Sequence, residues 1–126
     1  MKLLVWNIRE LAKNPSIRRL KKIIKSKSTS VIAIFEPKVT VGNIRDFEFR
    51  LNCVGSFANS ENNIWLFWKS CVTCNIIHST EQYISAMLNI GGIDVIIFFV
   101  YASCDANIRQ SLWDTSILLT AQIHGW

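Results

Sequence analysis

The apolar residues of this chain gather in short blocks set off by polar or turn-forming ones, and the spacing inside each block predicts its element. "LLVW" at 3–6 and "VIAIF" at 31–35 are unbroken apolar runs of strand length. Such runs suit strands covered on both faces. Between them, Asn14-Pro15 is a helix start, with Asn as N-cap and Pro at the first helical position. Ile17, Leu20, Ile23 and Ile24 then recur at helical spacing, with basic residues on the other side. Strand, helix and strand within about thirty-five residues predict a βαβ unit whose strands are parallel neighbours.

The segment 39–52 is mixed, with a short helix expected around Asn43 to Leu51. "NNIWLFWK" predicts a strand beginning after Asn62-Asn63, and "VTCNIIHS" and "YISAMLNI" predict two more. Gly91-Gly92 separates the last of these from "IDVIIFFVY", which predicts a hairpin closed by a two-residue primed turn. After Tyr101 a helix is expected, capped by Ser103 or Asp105, with Ile108, Leu112, Ile117 and Leu118 along its apolar side. The order predicts a mixed β-sheet with flanking helices, of the α/β or α+β class. No internal repeat or linker divides the chain, so residues 1–126 are expected to form one unit. The chain stops at "IHGW" straight after an apolar helix, as an interrupted domain would.

Composition narrows the class. With 50% hydrophobic and 18% charged residues, the chain is globular rather than disordered. Its longest apolar run, Val95 to Tyr101, is far short of the ~20 residues of a membrane span. The apolar run after Lys2 is too short for a secretory signal, so an intracellular protein without a membrane is expected.

The net charge is +5, and its distribution matters more than its size. Lys13, Arg18, Arg19, Lys21, Lys22, Lys25 and Lys27 supply seven of the fourteen basic residues, and no Asp or Glu interrupts them. Such a stripe can attract phosphate backbones, or it can be the solvated face of an amphipathic helix. Cys71 and Cys74 have CxxC spacing, but they stand in a strand-like context where positions three apart face opposite ways. With no second CxxC to complete a zinc site, reduced thiols are expected at Cys53, Cys71, Cys74 and Cys104.

Asn7 follows the first buried strand and Glu36 follows the second. If those strands are parallel neighbours, both residues emerge at the carboxyl edge of the sheet, where ligand sites of open α/β sheets form. Tyr101 ends the most apolar strand and joins them if that strand ends on the same side. A carboxylate is the hard ligand that Mg²⁺ prefers, an amide can orient it or touch a phosphate oxygen, and a phenol can donate to developing charge. The ordinary readings are a turn Asn, an exposed Glu before Pro37 and a Tyr at the core margin.

In order and spacing, "LLVWNIREL", "VIAIFEPK", "NNIWLFWK" and "VIIFFVYASC…LW" resemble the endonuclease/exonuclease/phosphatase superfamily. Within it, the chain is most similar to the N-terminal endonuclease domain of plant-type LINE (non-LTR) retrotransposon polyproteins. The resemblance implies a partial DNase I-like sandwich of mixed sheets with helices outside. It implies a divalent-metal phosphodiesterase, using Mg²⁺ or Mn²⁺, that nicks DNA in the nucleus. Asn7 matches the Asn of the W-N motif near metal and phosphate, Glu36 the metal-binding Glu, and Tyr101 the Tyr that contacts the phosphate. Arg18, Arg19, Lys21, Lys22 and Lys25 are the expected nucleic-acid contacts.

The departures are informative. The family usually has Gly where this chain has Glu10, and often Gly-Gly where it has Asn62-Asn63. The Gly-Asp-Phe-Asn motif expected just after "HGW" and the later Asp-His pair are absent. The resemblance therefore implies the first half of a catalytic domain, inactive alone. The alternative is a non-enzymatic nucleic-acid-binding remnant acting through the basic helix 13–27.

Overall fold

The computed structural model describes residues 3–7 and 14–101, and at its centre the runs VIAIF and IWLFW lie side by side. Strand β1 (Leu3–Asn7) leads to helix α1 (Asn14–Lys27) and strand β2 (Val31–Phe35). A 3-10 turn at Val41–Asn43 runs into helix α2 (Ile44–Arg50), within the segment where a short helix is expected. Strands β3 (Gly55–Ala58), β4 (Ile64–Trp68), β5 (Thr73–Ser79), β6 (Tyr83–Ile90) and β7 (Ile93–Val100) complete the described elements. Glu10, Lys13, Cys104 and the helix expected after Tyr101 lie outside the described residues.

The strands form two sheets, in the orders β1-β2-β4-β3 and β5-β6-β7. As the βαβ pattern predicts, β1 and β2 are parallel, from Leu3 opposite Val31 to Asn7 opposite Phe35. Because β4 runs antiparallel to β2, the first sheet is mixed. Both central strands are apolar throughout because both of their faces are covered. Ile32, Ile34, Trp65 and Phe67 face a core built with Ile17, Leu20 and Ile24 of α1 and Phe47 of α2. Val31, Ala33, Phe35, Ile64 and Leu66 face the second sheet through Ile84, Ala86, Leu88 and Phe99. Each large side chain so buried contributes about 1.5–3 kcal/mol, which fixes the register, since a one-residue slip would exchange the two faces. The result is three layers: helices, first sheet, second sheet.

Local chemistry sets the ends of these elements. Ile90 pairs with Ile93 across Gly91 and Gly92, whose φ values of +60° and +85° are those a primed two-residue turn demands. At the end of α1, Ser28 takes the left-handed conformation with φ +53°, and the Thr29 N–H returns to the Ile24 carbonyl at 3.1 Å.

Three expectations change. Strand β1 is not covered on both faces, since Leu3 and Val5 are 38% and 53% exposed while Leu4 and Trp6 pack toward the helices. Strand β3 has no clear signal, being four half-buried residues opened by Gly55, and only its pairing with β4 makes it a strand. The CxxC pair does not lie on one strand either. Cys71 is exposed in the turn before β5, because the Val72 N–H bonds back to the Lys69 carbonyl, and only Cys74 is on β5. Cys53, Cys71 and Cys74 are free thiols.

Candidate functional site

Since β1 and β2 are parallel and in register, their carboxyl ends define one edge, with Asn7 level with Phe35 and Glu36 the next residue out. The Glu36 N–H donates to the Asn63 carbonyl at 2.9 Å, prolonging the β2–β4 pairing by one step. Glu36 also has φ +54°, in the left-handed region, immediately before the buried Pro37. A residue preceding proline is steered toward extended backbone, so this conformation costs about 1–3 kcal/mol and persists only where its surroundings hold it. What the turn achieves is to bring the Glu36 carboxylate to the Tyr101 hydroxyl, which donates a hydrogen bond to Oε1.

Tyr101 is held from two sides. Its N–H donates to the Gln82 carbonyl at 2.6 Å, and its ring stacks on Phe35, with centroids 6.2 Å apart and planes 16° from parallel. The two residues are 65 positions apart in the chain and come from different sheets.

The brace between the sheets is a set of asparagines centred on Asn59, a residue for which the sequence suggested no role. Asn59, 4% exposed, accepts from the N–H groups of Asn63 and Ile64, both at 3.0 Å, and so shapes the β3–β4 turn. Its Nδ2 donates to the Asn63 side-chain oxygen at 2.5 Å and to the Thr80 and Glu81 carbonyls at 3.0 and 3.3 Å, in the β5–β6 turn. Asn63 Nδ2 adds a bond to the Glu81 carbonyl at 3.1 Å. Thus the turn whose backbone holds Glu36 is bonded to the turn whose next residue, Gln82, holds Tyr101. Asn62 has φ +55°, Nδ2 donating to the Val39 carbonyl at 2.7 Å, and Oδ1 accepting from the Trp65 indole at 2.6 Å. The signal available in the sequence was "ANSENN", three asparagines in a five-residue connection. Only Asn62-Asn63 entered the reading, as the start of a strand and a departure from Gly-Gly.

The Glu36 carboxylate is a hard oxygen donor at the mouth of the sheet. Mg²⁺ is commonly bound by one or two carboxylates, with water and phosphate oxygens completing its shell. Among the described residues no group of three or more His, Cys, Asp or Glu could hold a metal. The donor chemistry thus fits an oxygen-seeking ion shared with a phosphate, not a closed cage of protein ligands. A tyrosine hydroxyl has one proton to donate. Here it goes to Glu36, an anionic oxygen of the kind a phosphate presents.

The structure thus brings Glu36 and Tyr101 into direct contact and puts the Asn7 backbone at the same edge. It does not bring Arg18, Arg19, Lys21, Lys22 and Lys25 there as a group. They are exposed along α1, away from the buried Ile17, Leu20 and Ile24. Among the described residues no helix is long and apolar enough to cross a membrane.

No family model matches the chain, and no curated protein matches it either. Solved structures do share its fold. The crystal structure of TDP2 from C. elegans superposes with a TM-score of 0.61 at 12% identity, covering 98% of this chain and 42% of that one. Its selenomethionine form gives 0.60 at 13% identity, covering 98% of this chain and 41% of that one. The chain therefore has a partial DNase I-like α/β fold and spans less than half the length of TDP2.

Proposed function

We propose that this chain is the N-terminal part of a divalent-metal phosphodiesterase domain of the endonuclease/exonuclease/phosphatase kind, descended from the DNA endonuclease of a LINE-type retrotransposon and catalytically incomplete by itself. The observation that carries this reading is the Glu36–Tyr101 hydrogen bond at the carboxyl edge of β1 and β2, in a fold shared with TDP2. Glu36, with Asn7 beside it, would hold Mg²⁺ or Mn²⁺. When bound, such an ion polarises a phosphoryl oxygen and eases the ionisation of a water. Tyr101 would turn its hydroxyl proton from Glu36 to a phosphate oxygen and help to orient the phosphodiester. Incompleteness is supported by the motifs: neither Gly-Asp-Phe-Asn nor the Asp-His pair occurs in the chain. Nuclear DNA would be the substrate of the parent domain.

Two measurements test the proposal. Mn²⁺ titrated into the ¹⁵N-labelled chain should broaden the amides around Glu36 in the wild type and leave Glu36→Gln unaffected at the same far-UV circular dichroism. Supercoiled plasmid with Mg²⁺ or Mn²⁺ should stay intact. Efficient nicking that survives Glu36→Ala would refute both the incompleteness and the role of Glu36.

A second reading is favoured by one observation, the exposed cations along α1. A non-enzymatic remnant would bind nucleic acid through them, with an affinity that falls steeply with salt. Replacing Arg18, Arg19, Lys21 and Lys22 by Ala should then abolish binding, and unchanged binding excludes this reading.

A further inference from the structure

A cleft of about 650 Å³ opens between the C-terminal turn of α1, the C-terminal end of α2 and the turn joining β4 to β5. It lies at the other end of the central strands from Glu36, since Ser30, one residue before β2, lines it. Five strand residues separate the two ends, a distance of about 20 Å. Four cations from three elements line it: Lys21 and Lys25 of α1, Arg50 of α2, and Lys69 after β4. Among the described residues that line it there is no Asp or Glu. A smaller cleft of about 390 Å³ shares Lys21 and Arg50 and adds Arg18.

The local structure uses some of this charge. Lys69 Nζ donates to the Leu51 and Asn52 carbonyls at 2.6 and 3.2 Å, capping the C-terminal end of α2. Arg50 stands 3.8 Å from Asp46 and 5.4 Å from the Phe47 ring centroid. The C-terminal end of a helix carries a partial charge of about −0.5, and α2 is too short to carry even that much. Set against the four cations among the described lining residues, Asp46 and this partial charge leave at least about two and a half positive charges uncompensated around one concave volume. Lys21 and Lys25 in particular are exposed and one helical turn apart.

We propose that this cleft binds a compact polyphosphate, a di- or triphosphate group either free or carried by a nucleotide. Phosphates in such a group share bridging oxygens and concentrate several negative charges in a volume the cleft can surround. The phosphates of a nucleic-acid strand are spaced by whole sugars and suit an extended stripe. The buried Ile24 and Leu51 supply the apolar part of the lining, and the exposed Cys71 stands at its rim. This site is independent of the reading of the Glu36 edge.

The test is calorimetric titration of the full chain with tripolyphosphate, ATP and a single-stranded oligonucleotide at about 0.15 M ionic strength. Two double variants remove the same charge from the same helix: Lys21→Gln/Lys25→Gln at the cleft and Arg19→Gln/Lys22→Gln outside it. Both are to be compared at an unchanged thermal transition. The cleft pair should weaken tripolyphosphate at least about tenfold and the outer pair less than about twofold. Bound tripolyphosphate should also slow iodoacetamide alkylation of Cys71, read by peptide mass spectrometry. ATP binding more tightly than tripolyphosphate identifies a nucleotide as the source, and the reverse identifies the free anion. Equal losses in both pairs, no heat from either phosphate, unprotected Cys71, or an oligonucleotide that outcompetes tripolyphosphate would each overturn the proposal.

Discussion

Replacing Asn59 by Ala removes every bond by which one buried side chain joins the two turns behind Glu36 and Tyr101. Its oxygen satisfies the N–H groups of Asn63 and Ile64, and its Nδ2 reaches into the β5–β6 turn. Ile64 is fully buried, so water cannot take the place of the lost acceptor there, whereas half-buried Asn63 can recover part of its bond. Leaving a buried donor unsatisfied costs about 1–3 kcal/mol, and the partly exposed groups add less. The expected loss is about 2–4 kcal/mol, a large share of the 5–15 kcal/mol that holds a domain folded. In a thermal melt this is a fall of roughly 10 °C. Urea unfolding followed by Trp fluorescence measures the free energy directly. Asn59→Asp separates the two halves of the network, because it keeps both acceptor bonds but turns an oxygen toward the Thr80 and Glu81 carbonyls. If the link between the sheets dominates, Asp is as costly as Ala. A loss below about 0.5 kcal/mol for Asn59→Ala would place it among ordinary surface changes and refute the brace.

Three further outcomes are expected. Gly55→Ala should destabilise by about 1–3 kcal/mol in urea unfolding, since a Cβ there would overlap the Trp68 indole; an unchanged midpoint contradicts the packing. Asn62→Gly relieves a left-handed backbone worth about 1 kcal/mol but strips the Trp65 indole N–H of its acceptor, worth about 1–3 kcal/mol. A net loss is therefore expected, and a gain in melting temperature would show that the backbone term wins. Burial pushes the Cys53 thiol from 9.0 up to about 11, with Lys69 pulling it down and Glu48 raising it further. The folded state thus holds this proton more tightly than the unfolded one. Its stability contribution, on the order of 2–3 kcal/mol, is complete below pH 9 and lost as pH rises toward 11. Burial raises Cys74 to about 11 as well. Cys53→Ala should flatten the decline of urea stability between pH 9 and 11, and an identical slope in the variant would exclude this origin.

What could be read in advance follows from periodicity and reach. VIAIF and IWLFW announce strands covered on both faces because no polar residue interrupts them, and Gly91-Gly92 announces its turn because few other pairs adopt two positive φ values cheaply. The parallel pairing of β1 and β2 followed from the helix between them, and with it the shared edge of Asn7 and Glu36. Strand β3 was not legible, because Gly55 to Ala58 owes its pairing to a neighbour and to no periodic signal of its own. Nor was the position of Cys71, which a single turn bond takes off the strand. Sequence also could not say that β7 brings Tyr101 to Glu36. Sheet order is decided by contacts across 65 positions, and nothing local to Tyr101 encodes them.

The edge itself shows why sequence patterns under-describe such a site. Where the resemblance led one to expect glycine, this chain has Asn62, and the conformation that glycine would supply is present nonetheless, at φ +55°. Glu36 and Lys38 take the same region, both at φ +54°, on either side of Pro37. Three non-glycine residues in left-handed backbone cost several kcal/mol together, on the order of 1–2 for each. Two of them are tied down, Asn62 to the buried Trp65 indole and Glu36 to the half-buried Asn63 carbonyl and Tyr101 hydroxyl. A glycine edge would be permissive, whereas this one is held. Under the proposed function, a held carboxylate meeting a held phenol would be preorganised for charge stabilisation at a phosphate. The same ties make the edge sensitive to mutations such as Asn59→Ala, which touch neither Glu36 nor Tyr101.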